Sequence, residues 1–118
     1  MSIRVIHIPV DSSTTVRLVE TTQDEIADRL HDLVEGSFEC VELNDDVHVW
    51  LNEEGKLRGM PWNPRAQRLW DQRYGSFTDV LVGPAVLTGG VDRHGDTLGL
   101  SPEQIATVER EIGPLSQK

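Results

Sequence analysis

The sequence predicts one α+β domain over residues 1–118, with an antiparallel sheet of about five to six strands and three helices packed on it. Three observations predict this class. Short segments alternate apolar and polar residues, as strands do, and three longer segments repeat apolar residues at helical spacing. The segments follow one another as strands, helix, strands, helix, strand and helix. With 118 residues, 37% of them hydrophobic, the chain is long and apolar enough to bury its own core.

The first two strands are predicted from alternation at residues 3–8 and 15–19. Pro9 and the polar turn after it separate these segments. The pair is therefore expected to form either a hairpin or a broken edge.

The first helix is predicted from a capping pattern. Thr22 resembles an N-cap, and Glu25, three residues later, would be its capping-box partner. Gly36 is the expected end of the helix. The apolar face is formed by Ile26, Leu30, Leu33 and Val34.

Two further strands are predicted at residues 38–43 and 47–51, joined by the polar residues 44–46. A turn around Gly55 follows. His48 and Trp50 share one strand face, which is either buried under a helix or exposed as a contact surface.

The second helix begins with a strong signal, because Asn63 is a good N-cap and Pro64 suits the first helical position. It is expected to end near Gly75. Residues 79–87 then read as a strand in which Gly83-Pro84 requires a bulge or an edge position. The last helix is predicted from Ser101-Pro-Glu-Gln, with apolar residues at helical spacing up to the stop at Gly113.

Composition excludes several classes of protein. The formal net charge is −9, which argues against direct binding of nucleic acid because phosphate contacts need clustered basic residues. No apolar segment approaches the roughly 20 residues of a membrane span, and the N-terminus lacks a secretory pattern. Cys40 is the only cysteine, so an intrachain disulfide is impossible and a reducing compartment, the cytoplasm, is expected.

Charge is unevenly distributed along the chain. Residues 1–50 contain three basic residues against eleven acids, whereas residues 51–75 contain five basic residues against three acids. The chain is therefore acidic, with one basic segment in its middle.

Three blocks of the sequence resemble a known family: Leu51-Asn-Glu-Glu-Gly-Lys-Leu-Arg-Gly-Met-Pro-Trp-Asn-Pro-Arg-Ala, Asp79-Val-Leu-Val-Gly-Pro-Ala-Val-Leu and Leu100-Ser-Pro-Glu-Gln-Ile. They are similar to domain of unknown function 3846, found in small proteins of bacteria and their phages, many of them actinobacterial. The resemblance covers roughly residues 16–108. It implies an origin in a phage or mobile element. It does not assign an activity, and no catalytic or binding residues can be carried over to positions in this chain.

The basic segment, residues 56–73, suggests an anion site at the start of the second helix, where free N–H groups could meet a phosphate or carboxylate. The candidate ligands to a nucleotide or other anion are Lys56, Arg58, Trp62, Arg65 and Arg68. Arg65 motivates the idea, because a cation in the first helical turn opposes the macrodipole. In the alternative interpretation the arginines pair with surplus acids and Trp62 fills the core.

A second candidate surface lies on the first helix, where Asp24, Asp28 and Asp32 are four residues apart and would form one negative ridge. Glu35 extends it, and further acids that could continue it are Glu20, Asp45 and Asp46. Such a row could dock on a basic protein. The alternative is a merely solvated helix face.

Signals for an enzyme are weak. The four histidines are scattered, there is no nucleotide-binding glycine loop, and Cys40 is expected to be a small core residue. The loop containing Asp92, His94 and Asp96 lacks the ligand count of a calcium loop. No catalytic residue, metal site or cofactor is expected.

Together these observations favour a non-enzymatic, cytoplasmic binding protein of phage type. Its expected partner is a basic host or anti-phage defence protein, which would make it a counter-defence factor. The alternative is a protein that sequesters a nucleotide or other small anion with residues 56–73. The sequence is also compatible with a homo-oligomer.

Overall fold

The computed structural model describes residues 2–44 and 46–117. This part of the chain is α+β, as predicted, with a six-stranded, mostly antiparallel open sheet and three helices. The strands lie in the order β3-β4-β5-β1-β2-β6. The elements are β1 (Ser2–Ile8), β2 (Val16–Thr22), α1 (Ile26–Val34), β3 (Phe38–Asn44), β4 (Val47–Asn52), α2 (Pro64–Tyr74), β5 (Ala85–Gly89), α3 (Pro102–Ile112) and β6 (Leu115–Ser116).

β1 and β2 form a hairpin, the first of the two expected alternatives, which pairs from Ser2 opposite Thr22 to His7 opposite Arg17. β2 is longer than predicted, because the full length of β1 is available to pair with it. On its other side β2 meets β6 in parallel, at Val16 and Arg17 only.

The capping prediction for α1 is wrong. Thr22 lies inside β2, and the N-cap is Glu25, whose side chain makes no capping hydrogen bond. Strand pairing uses Thr22, whose carbonyl then accepts the Glu25 N–H at 3.1 Å to form the turn into α1. The helix ends as expected before Gly36, whose N–H donates to the His31 carbonyl.

The caps of the other two helices are confirmed. The Asn63 side chain accepts the Ala66 N–H, and Ser101 and Gln104 form both hydrogen bonds of a capping box. Pro64 and Pro102 occupy the first helical positions.

The strand predicted over residues 79–87 is shorter and shifted. β5 begins only at Ala85, directly after Pro84, and ends at Gly89. Gly83, with φ at 78°, turns the chain into it. Because Pro84 precedes the strand, β5 needs neither the bulge nor the edge position that the sequence suggested, and it lies between β4 and β1.

Buried side chains form two clusters, and alternate residues of one strand contribute to different clusters, as the period of a strand requires. Ile6 and Ile8 belong to the cluster that includes Leu69 of α2 and Val108 of α3. Val5 belongs to the cluster that includes the buried face of α1. The second cluster consists of Val5, Val19, Ile26, Leu30, Val34 and Val86.

Two single-residue predictions also have outcomes. Trp50 is half-buried against the α1 cluster and donates its indole N–H to Thr88 Oγ1 at 2.9 Å, which supports the buried alternative for its face. Cys40 is exposed rather than a core residue, because it lies on β3, the edge strand.

None of the helices in residues 2–44 and 46–117 combines the length and the apolar composition of a membrane span.

Candidate functional site

The acidic face consists of Asp24, Asp28, Asp32 and Glu35, and all four residues are exposed. Asp28 and Asp32 lie one turn apart on α1, as predicted. Asp24 lies in the turn before the helix, so the expected ridge of three helical aspartates is reduced to two. The reason is the later start of α1, since β2 takes up Thr22, the expected N-cap, and residues 23–25 form a turn before the helix.

No residue of the acidic face has a basic partner within 4 Å in the described part of the chain. The close contacts of carboxylates with basic side chains found there are Lys56–Asp79 at 2.7 Å and His48–Glu42 at 3.7 Å, the second of which is an ion pair only when the imidazole is protonated. Surplus acids therefore remain without countercharge on this surface, where they contribute to a negative potential.

Asp32 and Glu35 stand at the unfavourable end of α1. Asp32 lies in its last turn and Glu35 is its C-cap, where the macrodipole is negative. Glu35 also has φ at 67°, in the left-handed region that suits glycine or asparagine. The Arg58 guanidinium donates to the Glu35 carbonyl at 3.0 Å, which satisfies that backbone oxygen but leaves the carboxylate exposed.

The extensions of this face are dispersed. Glu20 projects from β2 beside a separate cleft, and Asp46 is exposed in the turn between β3 and β4. Asp45 lies outside the described residues.

The basic segment is divided among separate partners. Lys56 is paired with Asp79, and its hydrogen bond lowers the pKa of that carboxyl. Arg58 is bound to the end of α1. Arg68 is exposed on α2.

Contacts of Arg65 compensate for the unfavourable position of its charge in the first turn of α2. Its Nη2 donates to the carbonyls of Pro9 at 2.9 Å and Asp11 at 3.0 Å, so it ties α2 to the loop between β1 and β2. Burial lowers the pKa of Arg65, which the nearby Asp11 carboxylate opposes. The cation is thus held by backbone oxygens.

The start of α2 has few free N–H groups with which to bind an anion. Pro64 has no N–H, and the Asn63 side chain already accepts the Ala66 N–H at 3.1 Å. Trp62 is 55% exposed, so it does not fill the core, and its indole N–H donates to Gln67. The five candidate residues therefore do not converge on one cavity.

A cluster that the sequence analysis missed lies at the outer edge of β2. The arginine cleft has a volume of about 420 Å³ and is lined by Arg4 of β1, Arg17 and Glu20 of β2, Arg29 of α1, and Gln117. Its three arginines are all of the basic residues in the first fifty positions. The hairpin register pairs Arg4 with Glu20 and Arg17 with His7, but no sequence signal brings Arg29 of α1 to them.

Two places in the sequence were considered for metal binding or catalysis, the loop after β5 and Cys40. In the loop after β5, Asp92 Oδ1 accepts the N–H groups of His94 and Asp96, which shapes a turn. Partial burial, with Glu42 nearby, raises the pKa of the Cys40 thiol, which favours the unreactive protonated form. Within residues 2–44 and 46–117, no group of three or more metal-ligating side chains is placed to hold an ion.

Comparison with known proteins identifies a family. The family model described as Domain of unknown function (DUF3846) matches residues 3–113, a longer stretch than the resemblance noted from the sequence blocks. No curated protein and no solved structure matches the chain.

Proposed function

We propose that this chain, which belongs to the family described as Domain of unknown function (DUF3846), acts without catalysis by binding a basic protein through its acidic face. The proposed setting is the cytoplasm of a bacterial cell. The proposed partner is a basic host or anti-phage defence protein, in keeping with the phage or mobile-element origin that the family resemblance implies.

The observation that carries this proposal is the position of Glu35. Its charge opposes the helix dipole, its backbone favours a different residue, and its carboxylate has no cation within 4 Å among the residues described. Each of the first two effects costs roughly 0.3 to 2 kcal/mol. Residues that lower stability without a local benefit are typical of functional surfaces, where stability and activity conflict.

The neighbouring charges support the same interpretation. Asp28 and Asp32 repel each other at their four-residue spacing, and neither is neutralised by a basic partner in the described ranges. A negative surface of this kind attracts a basic partner over a distance and orients it during encounter. Association should therefore weaken as salt screens the charges.

The test compares two variants with equal charge changes. In the first, the acidic face is neutralised by Asp24→Asn, Asp28→Asn, Asp32→Asn and Glu35→Gln. In the matched control, four other exposed acids are neutralised by Glu39→Gln, Glu53→Gln, Glu54→Gln and Glu103→Gln. Each variant removes four of the twenty acidic residues.

Both variants and the wild type are used as bait in an actinobacterial lysate at low and high salt, with mass spectrometry of the retained proteins. We expect the wild type and the control to retain basic proteins at low salt and to release them at high salt. The acidic-face variant should not retain these proteins at either salt concentration. Equal retention by the two variants would show that net charge alone is responsible and would overturn the proposal. Retention of no protein by the wild type would do the same.

The alternative function, capture of a nucleotide by residues 56–73, stays a prediction. The contacts of Lys56, Arg58 and Arg65 with Asp79, Glu35 and the β1–β2 loop weaken it, because these contacts would have to be given up to form one site.

A further inference from the structure

The arginine cleft brings together cations that are far apart in the sequence. Arg4 and Arg17 lie on the β1–β2 hairpin, and α1 returns Arg29 to the same place. β6 pairs with β2 only at Val16 and Arg17, so the outer edge of β2 beyond Arg17 has no strand partner among the residues described. The cleft opens at this edge.

The charges in the cleft are not internally compensated. Glu20 is its one acidic lining residue, against three arginines. Although Arg4 lies directly opposite Glu20 across the hairpin, the two form no ion pair within 4 Å, and neither Arg17 nor Arg29 has such a pair in residues 2–44 and 46–117. By strand parity Arg4 and Arg17 belong to opposite faces of the hairpin, so they border the cleft from either side of the β2 edge. An anion in the cleft would be attracted by these arginines and by Arg29.

Arg17 is positioned without losing its charge. One of its terminal nitrogens lies 3.2 Å from His7 Nδ1, which acts as the acceptor. Burial, together with the charge of Arg17, lowers the pKa of His7 to about 4, so the imidazole is neutral at pH 7. A carboxylate in this place would hold the guanidinium but would also neutralise it, whereas the neutral imidazole leaves its charge available.

We propose that the arginine cleft binds the phosphate group of a small phosphorylated molecule of the size of a nucleoside monophosphate. Guanidinium groups match phosphate oxygens in a bidentate fashion. A volume of about 420 Å³ lies within the range of small-ligand sites. This site is separate from the basic segment and does not depend on the proposed function of the acidic face.

The surroundings of the cleft favour a small ligand over a nucleic acid strand. Asp28 and Asp32 are exposed on the same helix as Arg29, on either side of it in the sequence. A polyanion that extended beyond the cleft would meet these acids, and the protein as a whole carries a net charge of −9. A single phosphate group can remain between the arginines.

Calorimetric titration tests the site with adenosine 5′-monophosphate, inorganic phosphate, unphosphorylated adenosine and citrate as probes. We expect the two phosphate compounds to bind and adenosine not to bind. Arg29→Gln and Arg4→Gln should each weaken binding about tenfold or more, as loss of a charge-assisted hydrogen bond does. Arg29→Lys should restore part of the affinity, because it returns the charge without the bidentate geometry.

Arg68→Gln is the matched control, since Arg68 is an exposed helical arginine outside the cleft. It should bind like the wild type. The proposal is overturned by absence of binding of both phosphate compounds to the wild type, by wild-type affinity in Arg29→Gln, by loss of binding in Arg68→Gln, or by tighter binding of citrate than of phosphate. Because Arg29 is exposed, its substitution should leave the fold intact, and thermal unfolding of each variant checks this.

Discussion

Substitution of Glu35 should raise the stability of the fold while removing a charge that the proposed binding uses. Glu35→Asn should raise the free energy of unfolding by roughly 0.5 to 1 kcal/mol, because asparagine tolerates the left-handed backbone and removes a charge from the negative end of α1. Urea unfolding measures this. Glu35→Gln removes only the charge, so the difference between the two variants gives the backbone contribution. An Asn variant no more stable than the wild type would contradict the argument.

His7 should make stability depend on pH. Burial and Arg17 hold its pKa at about 4, below the ordinary value of 6.5, so the unfolded chain binds this proton more readily. The free energy of unfolding should therefore fall as pH drops through the window from about 6.5 to 4, since the folded state resists protonation there.

The measurement is the free energy of unfolding between pH 6.5 and pH 5, above the range where most carboxylates titrate. His7→Gln keeps an acceptor for Arg17 but does not titrate. The decrease in its free energy of unfolding should therefore be smaller than that of the wild type by roughly 1 kcal/mol, after allowance for the partial exposure of the imidazole. Identical decreases would mean that His7 is not held in its neutral form.

At the scale of single residues, sequence reasoning found the exposed acids but not their surroundings. Asp28, Asp32 and Glu35 are exposed as the helical spacing indicated. The contacts of Arg58 and Arg65 could not be predicted, because their partners are backbone carbonyls more than twenty positions away in the sequence. Only the path of the chain brings these groups together.

At the scale of elements, one buried side chain joins α2 to its neighbours. Asn63 is fully buried, caps α2, and donates to the carbonyls of Ile8 at 3.0 Å and Gly83 at 2.9 Å. It therefore joins β1, α2 and the turn before β5. Asn63→Ala would leave buried carbonyls without donors, an effect much larger than loss of a cap alone.

We expect Asn63→Ala to lower the free energy of unfolding by about 3 kcal/mol or more, and Ser101→Ala, which removes only the cap of α3, by about 1 kcal/mol. Parallel urea titrations compare the two. Similar losses would mean that the donor bonds of Asn63 add nothing to its role as a cap.

The prediction of elements succeeded where the start signal was local. Asn63-Pro64 and Ser101-Pro102 contain their own capping groups, and both helices begin there. Thr22 had an equally good local capping pattern, yet it pairs with Ser2 in the β1–β2 ladder instead of capping α1. Pairing with a strand twenty residues away in the sequence was therefore more favourable than the cap. β5 was misplaced for a related reason: residues 81–83 pair with residues 61–63, and Pro84, which has no N–H to donate, separates them from the strand that begins at Ala85.

At the scale of the whole molecule, the charge count of the sequence was sufficient to predict an acidic protein but not its basic site. Arg4, Arg17 and Arg29 were counted as a small minority in an acidic half. Strand register and the return of α1 place all three around one cleft. A linear charge profile averages over neighbours in sequence, whereas binding depends on neighbours in space.

The excess of acids also has a consequence for the stability of the whole protein. Twenty acidic residues face eleven basic ones, and within the described ranges the one Lys or Arg side chain within 4 Å of a carboxylate is Lys56, beside Asp79. Repulsion among the remaining acids should destabilise the compact state at low ionic strength. Raising sodium chloride from about 0.01 M to 0.1 M shortens the screening length from about 30 Å to about 10 Å, which removes much of this repulsion.

The melting temperature at pH 7 should therefore rise by about 2 to 5 °C over that range of salt, as a gain of under 1 kcal/mol produces in a domain of this size. Neutralising the acidic face should reduce the rise, because Asp28, Asp32 and Glu35 repel one another within a short helix. The control variant with four acids removed elsewhere shows how much of the reduction belongs to that helix rather than to net charge. A melting temperature that falls with added salt would instead mean that attractive pairs such as Lys56–Asp79 dominate the electrostatic energy of the fold.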